Sequence, residues 1–218
     1  MPRLLLSATI AVLIAGGAYA LLSGNAPAPP AAGPPVDLDD PRLRKAVFAG
    51  GCFWCLEAAF EEVPGVVAAI SGYAGGSVPA PTYEQVSSGG TGHAESVQVV
   101  YDPARVSYAA LLEIFWRNVD PTTPDRQFCD VGGQYRSAIF PSGPEQERLA
   151  LASRQALRDQ GRFPRVATEI APLTRFWPAE EYHQDFFRKN PLRYRTYRAG
   201  CGRDRRLAEL WGAAPAAH

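Results

Sequence analysis

Apolar positions along this chain switch between a period of two and a period near 3.6, and the switching predicts strands and helices in alternation. Lys45–Ala49 (KAVFA) is a short apolar run closed by Gly50-Gly51. Cys52–Glu62 (CFWCLEAAFEE) then has the Leu, Ala and Glu content of a helix, stopped before Pro64-Gly65. Val66–Tyr73 and His93–Tyr101 read as strands, and the stretch from Gly72 to Gly92 between them, rich in Gly, Pro, Ser and Thr, reads as a long loop of the kind kept for a site. Tyr108–Arg117 sets Tyr108, Leu111, Leu112 and Phe115 on one helical stripe, and Asn118–Gln134 is a second long loop. Arg136–Pro141 predicts a strand. Ser142 and Glu145, with Pro144 between them, predict a capping box opening a helix to about Gln160. Val166–Ile170 is a further strand candidate and Ala179–Lys189 a last helix, after which Pro191 and Gly200-Cys201-Gly202 predict an irregular C-terminal tail. The alternation implies one mixed α/β domain without internal repeats.

The first forty residues follow a different pattern. Arg3 precedes an uncharged stretch from Leu4 to Leu22, long enough for a signal-peptide core or one membrane anchor. Ala18-Tyr19-Ala20 has the small-x-small form of a cleavage site, while Leu21 and Leu22 prolong the apolar run, so residues 1–25 are read as a signal peptide or an N-terminal membrane anchor. Six of the sixteen residues from Ala26 to Pro41 are proline, which marks 26–41 as an extended Pro/Ala-rich linker. The chemistry-bearing domain is then 42–212, and 213–218 is a disordered tail. Export implies an oxidising compartment: the periplasm, or the periplasmic face of the inner membrane if the leader is retained.

At 218 residues the chain suits one domain of ordinary size. Its 22 basic residues balance its 22 acidic ones, so no global field favours nucleic acid or an anionic surface, and membrane contact is expected only through the N-terminal segment. Eight Lys or Arg fall between Arg188 and Arg206 against one acid, Asp204, and read as a solvated face. A monomer is expected. The four cysteines, Cys52, Cys55, Cys129 and Cys201, allow three pairings, and two structural disulfides are the plain expectation for an exported domain.

The residues around Cys52 point elsewhere. In Gly50-Gly51-Cys52-Phe53-Trp54-Cys55 a helix beginning at Cys52 would set its sulfur against unpaired amides and the positive end of the helix dipole, which favours a thiolate nucleophile. Phe53 and Trp54 add two large rings beside that sulfur, although such rings also serve as ordinary core. Strand parity puts Glu95 on the face of Val97, Val99 and Tyr101, where burial would raise its pKa and let it carry a proton near neutrality. His93 is expected to serve packing or hydrogen bonding. Tyr83 in the first long loop and Tyr135 closing the second are candidate phenol donors, with Asp130 positioning the site.

Six blocks, taken together, resemble the peptide methionine sulfoxide reductase A family, in its Gly-Cys-Phe-Trp-Cys branch: Gly51-Cys52-Phe53-Trp54, Gly72-Tyr73-Ala74-Gly75-Gly76, Pro81-Thr82-Tyr83, Gly92-His93-Ala94-Glu95, Asp130 to Ile139 (DVGGQYRSAI) and Glu181-Tyr182-His183-Gln184. They stand in order and at family-like spacing from about Lys45 to Gly212. The resemblance implies a two-layer α/β sandwich of ferredoxin-like character and reduction of the S epimer of methionine sulfoxide, free or in oxidised proteins. It implies Cys52 as nucleophile, Glu95 as proton donor, Tyr83, Asp130 and Tyr135 as a polar cage, and Phe53 with Trp54 as the pocket for the substrate methyl. It implies no bound cofactor and no metal, and an external thioredoxin-like dithiol as reductant. For the resolving thiol it puts Cys55 first, one helical turn from Cys52, with Cys201 second or as a relay; Cys129 receives no role.

Three other classes compete. An exported thioredoxin-like thiol–disulfide oxidoreductase would share the C-x-x-C, but its Trp ordinarily precedes the first cysteine, whereas Trp54 lies between the two. A zinc hydrolase would use Cys52, Cys55 and His93 with Glu95 as acid/base, yet the order of the His and the cysteine pair is reversed relative to the deaminases. A non-enzymatic exported binding domain would hold all four cysteines in disulfides.

Overall fold

The structure, a computed structural model, describes residues 37–212. The leader expected at 1–25, most of the linker expected at 26–41 and the tail at 213–218 lie outside these residues. Its central sheet is built from β1 (Arg44–Gly50), β2 (Val66–Ala74), β3 (Ala94–Tyr101), β6 (Ser137–Phe140), β7 (Glu169–Ile170) and β8 (Phe176–Pro178), in the order β7-β6-β1-β3-β2-β8. Every pairing is antiparallel except β6 with β7. The helix α1 (Phe53–Glu61) connects β1 to β2, and α3 (Tyr108–Arg117) follows β3 on the way to β6. The core order β6-β1-β3-β2 with those two crossovers is the split βαβ arrangement of ferredoxin-like folds.

The strand β1 is central, and both of its faces are covered, which is why KAVFA reads as a continuous apolar run. Ala46 and Phe48 join Val97, Val99, Tyr101 and Ile139 under the helical layer, where Phe60, Leu111, Leu112 and Phe115 are also buried. Phe48 stacks on Phe60 and Phe115 at ring-centroid distances of 5.1 and 5.3 Å. Val47, Ala49, Ala74, Ala94, Ala138 and Phe140 face the other way, covered by Ala171, Leu173 and Phe176. The small residues Ala49, Ala74, Ala94 and Ala138, on four neighbouring strands, let that second cover pack close to the sheet. The helix α4 (Pro144–Asp159) packs on α3 and presents Ala150 and Leu157 to the core.

Several expectations are corrected. Residues 37–41 belong to a turn rather than an extended linker: Leu43 N–H donates to Asp40 O at 2.9 Å, and Lys45 pairs with Asp39 at 2.7 Å. The first long loop contains a one-turn helix, α2 (Tyr83–Ser87), opened by a reciprocal capping box between Thr82 and Gln85. The second contains the hairpin β4 (Arg126–Gln127) and β5 (Asp130–Val131). The capping box expected at Ser142 does not form; Gly143 caps α4, and Ser142 N–H donates to Gln146 instead.

The helix expected at Ala179–Lys189 is interrupted. A 3-10 turn spans Glu181–His183, Asp185 takes φ 52°, and only Phe186–Lys189 (α5) is α-helical. Gln184 bridges both the N–H and the C=O of Ser71, an aim that a continuous helix would not give it. The tail expected to be irregular consists of two helices, α6 (Pro191–Gly200) and α7 (Arg203–Trp211). Pro191 is the first helical residue of α6, where its missing N–H costs nothing, and Gly202 at φ 69° makes the corner between the two helices. The basic face expected there is partly absorbed as well: Arg203 is buried, Arg198 pairs with Asp204 and Arg206 with Asp120. Among the described residues no helix is long and apolar enough to cross a membrane.

Candidate active site

The site forms where β1 runs into α1. Gly51 makes the turn at φ 80°, and a Cβ there would lie 2.6 Å from the Cβ of Gln127, so the loop can close on the strand only with glycine. Cys52 is the N-cap of α1 and is 6 % exposed. Beneath the turn lies Arg203 of α7, whose guanidinium donates to Gly50 O at 3.2 Å and Asn118 O at 2.6 Å and covers the Phe128 ring. A helix from the far end of the chain thus fixes the backbone that presents Cys52.

Glu95, the first residue on the face of Val97 and Val99, is buried to 3 % exposure and accepts the Phe53 N–H at 3.0 Å. Burial raises its carboxyl to about 8 against the opposing pull of that amide, with the charges of Asp130 and Cys55 adding to the rise. At neutral pH it therefore holds a proton while buried at the helix start.

The sulfurs depart from the simple expectation of a thiolate at 52. The first helical amide goes to Glu95, and Cys52 makes no side-chain cap. Burial, then its hydrogen bond to Cys55 and the nearby Glu95, push the Cys52 thiol up. The hydrogen bond from Cys52 lowers Cys55 to about 6, with Arg203 and Arg198 adding positive charge from α6 and α7. The two sulfurs titrate as one pair, with burial pushing Cys52 up and positive charge from α6 and α7 pulling Cys55 down.

Aromatic groups wall the site. Trp54 stacks on Phe186 with centroids 3.7 Å apart and donates from Nε1 to His183 Nδ1 at 3.1 Å. The rings of Phe53 and Tyr83 lie 4.9 and 4.5 Å from that of His183. Accepting from Trp54 fixes the His183 tautomer, and burial lowers its pKa, so it is neutral. Tyr83 opens α2, and its N–H donates to Glu180 Oε1 at 2.8 Å, while Glu180 Oε2 accepts from Tyr73. Burial, then Glu95 and Cys52, raise the Tyr83 phenol to about 12, so it remains a donor. Tyr135 ends the 3-10 turn at Gly133–Tyr135 and is raised by burial and by Glu95. Asp130 opens β5; burial raises it, and Tyr197 of α6 donates a short hydrogen bond to its Oδ2. After burial, Glu95, Tyr83, Asp130 and Cys52 each add to the rise of the Tyr135 phenol.

Cys52 and Cys55 are free thiols, whereas Cys129 and Cys201 form a disulfide across 72 residues. Cys201, the second candidate for the resolving thiol, is therefore held on Cys129 here, and Cys55 is the thiol in contact with Cys52. The structure thus holds one disulfide and two thiols, not the two disulfides expected of an exported binding domain. His93 ties the loop strands, accepting from Gly76 N–H and bonding Val78 O through Nε2. Three contributors were not singled out from the sequence: Glu180, Tyr197 and Arg203. None has a spacing signal, since each comes from a segment that meets the site only after the C-terminal region folds back. The Thr82–Gln85 box, by contrast, was legible as T-x-x-Q.

A vicinal-type thiol pair beside a protonated carboxylic acid and neutral phenols is equipped for two-electron chemistry at sulfur, which places the protein among thiol-dependent oxidoreductases. Residues 44–214 match the peptide methionine sulfoxide reductase family. Peptide methionine sulfoxide reductase MsrA of Halalkalibacterium halodurans is 49% identical over 172 residues, covering 78% of this chain and 98% of that one. MsrA 2 of Caulobacter vibrioides is 44% identical over 92% of this chain and 97% of its own. Among solved structures, methionine sulfoxide reductase A of Corynebacterium diphtheriae superposes with a TM-score of 0.64 at 39% identity over 71% of this chain and 78% of that one. Mxr1 of Saccharomyces cerevisiae in its reduced form gives 0.66 at 33% identity, over 70% and 89%. The chain belongs to the peptide methionine sulfoxide reductase family.

Proposed function

We propose that this protein reduces methionine S-sulfoxide, free or in oxidised proteins, to methionine. The observation that carries the reading is the buried Glu95 carboxyl, raised to about 8 at the start of the helix that bears Cys52. A sulfoxide oxygen becomes a leaving group only when protonated, and Glu95 is an acid that still holds its proton at neutral pH. Tyr83 and Tyr135 supply further neutral donors to the polarised oxygen, and Asp130 completes the polar cage. Phe53 and Trp54 bound the space for the methyl group.

In the reaction the Cys52 sulfur attacks the sulfoxide sulfur, its proton passing to Cys55, while Glu95 protonates the oxygen. The hydroxyl so formed then passes from the methionine sulfur to the Cys52 sulfur, breaking the S–O bond and the new sulfur–sulfur bond; the electron pair of the latter returns to methionine, which leaves, and Cys52 is left as a sulfenic acid. Cys55 then attacks the Cys52 sulfenic sulfur, releasing water and forming a Cys52–Cys55 disulfide. An external thioredoxin-like dithiol reduces that bond and is itself oxidised.

The uncharged stretch from Leu4 to Leu22, the Pro-rich segment after it and a Cys129–Cys201 disulfide at the exposed Cys129 support export to the periplasm, with the leader either removed or retained as an anchor. The test is incubation of the protein with separate S and R epimers and a chemical dithiol, repeated with Cys52→Ser. Turnover of the S epimer alone, lost on substitution, is expected; equal activity in the variant overturns the reading. Peptide mapping after one turnover is expected to recover Cys52 linked to Cys55.

A further inference from the structure

We infer that the Cys129–Cys201 disulfide is a positioning clasp for the substrate site, holding Tyr197 against Asp130. The inference rests on the reading above, in which Asp130 belongs to the substrate cage. Cys129 and Asp130 are consecutive, and the hairpin of β4 and β5 places them together with the Cys129 N–H donating to Cys201 Sγ at 3.2 Å. Cys129 Sγ lies 3.7 Å from Asp130 Oδ1. Cys201 caps the C-terminal end of α6, and its N–H donates to Tyr197 O at 2.9 Å, so Tyr197 is one helical turn away on the same side. The covalent bond and the Tyr197–Asp130 hydrogen bond therefore join the same two elements at adjacent points.

The helix α6 needs such a tie because Pro191–Gly200 has no buried residue. Without an apolar face in the core, its position depends on discrete contacts: the disulfide, Tyr197 on Asp130, the edge of Tyr197 on Trp54 at 5.9 Å, Arg198 on Asp204, and at its N-terminal half Tyr194 on Phe187 and Arg193 on Phe186. Of these only the disulfide is covalent. Cutting it leaves the end of α6 anchored to the fold only through the buried Arg203 two residues on, and the Tyr197 hydroxyl then leaves Asp130 for water part of the time. Asp130 then loses the partner that orients its carboxyl, and the cage is no longer preorganised for substrate. Cys129 and Cys201 touch no reacting atom and act through Asp130 and Tyr197.

The test uses Cys129→Ser, Cys201→Ser and the double variant, each also combined with Tyr197→Phe, in single turnovers without dithiol and with thermal melting run in parallel. Loss of one charge-assisted hydrogen bond predicts a half-saturating substrate concentration about tenfold higher, equal in the three serine variants, with the maximal rate kept. In the Tyr197→Phe background the serine substitutions are expected to add nothing. An impaired Cys201→Ser beside an unaffected Cys129→Ser gives Cys201 a thiol role of its own and overturns the clasp. So does lowered melting with unchanged half-saturation, or a serine effect that multiplies with that of Tyr197→Phe. Turnover by the unaltered protein in the same assay reports separately on the proposed activity.

Discussion

Glu95→Gln tests the proton donor with little change of shape. The carboxamide oxygen still accepts the Phe53 N–H that the carboxylate accepts at 3.0 Å, so the start of α1 stays pinned. What disappears is the acid. A positioned general acid contributes on the order of 10² to 10⁴ in rate, so the first-turnover rate is expected to fall at least ~100-fold, about 3 kcal/mol of barrier. The pH profile carries the sign. In the unaltered protein kcat/KM rises as the sulfur pair loses a proton near 6 and falls above about 8 as Glu95 loses its own. In Glu95→Gln the alkaline fall should vanish. Stability moves the other way. Raising the carboxyl from its usual 4.5 to about 8 makes the folded protein bind the proton more tightly than the unfolded chain. That contribution is full below pH 4.5 and is lost as pH rises to 8, on the order of 5 kcal/mol in all. The variant should therefore lose less stability than the parent between pH 5 and 9. Rapid-quench methionine formation from the S epimer, with urea unfolding at the same pH values, measures both. An alkaline limb that survives unchanged in Glu95→Gln, or a first-turnover rate within threefold of the parent, would falsify the assignment of Glu95.

Gly51→Ala sets a Cβ 2.6 Å from Gln127 Cβ on a backbone at φ 80°, and should cost about 2 kcal/mol or more in urea unfolding along with most activity. Arg203→Met leaves the carbonyls of Gly50 and Asn118 without their buried donor, with an expected loss of ~2–4 kcal/mol. It also removes a positive charge that lowers Cys55, so the acidic limb of the pH–rate profile should move to higher pH; an unmoved limb would separate Arg203 from the sulfur pair. Trp54→Ala removes the ring stacked on Phe186 and the donor to His183, and should raise KM about tenfold while the first-turnover maximum changes less. A fall confined to the maximal rate would place Trp54 in the chemistry rather than in the methyl pocket.

Period and punctuation along the chain determined a large part of this architecture. The continuous apolar run at Lys45–Ala49, the stripe at Tyr108, Leu111, Leu112 and Phe115, and the two-residue parity that puts Glu95 with Val97 and Val99 are local consequences of strand and helix geometry, and each is readable from spacing alone. The glycines before Cys52 marked the turn that the structure forms there. Where local signals competed, spacing was not enough. Pro191 opens a helix where its spacing predicts an irregular tail, and Gln184 and Asp185 break a helix that composition favours, because the tertiary bonds of Gln184 to Ser71 outweigh one turn of helical hydrogen bonds.

Only the folded chain decided the electrostatics of the sulfurs. The sequence put Cys52 at a helix start and so suggested a thiolate, but the amide expected to stabilise it is taken by Glu95, and burial pushes the Cys52 thiol up. Burial, Arg203 under the turn, Tyr197 on Asp130 and the choice of Cys129 as partner for Cys201 bring together residues that stand up to about 150 positions apart. No local period encodes such meetings. They follow from how the helical layer closes over the sheet and where that leaves each charge relative to water.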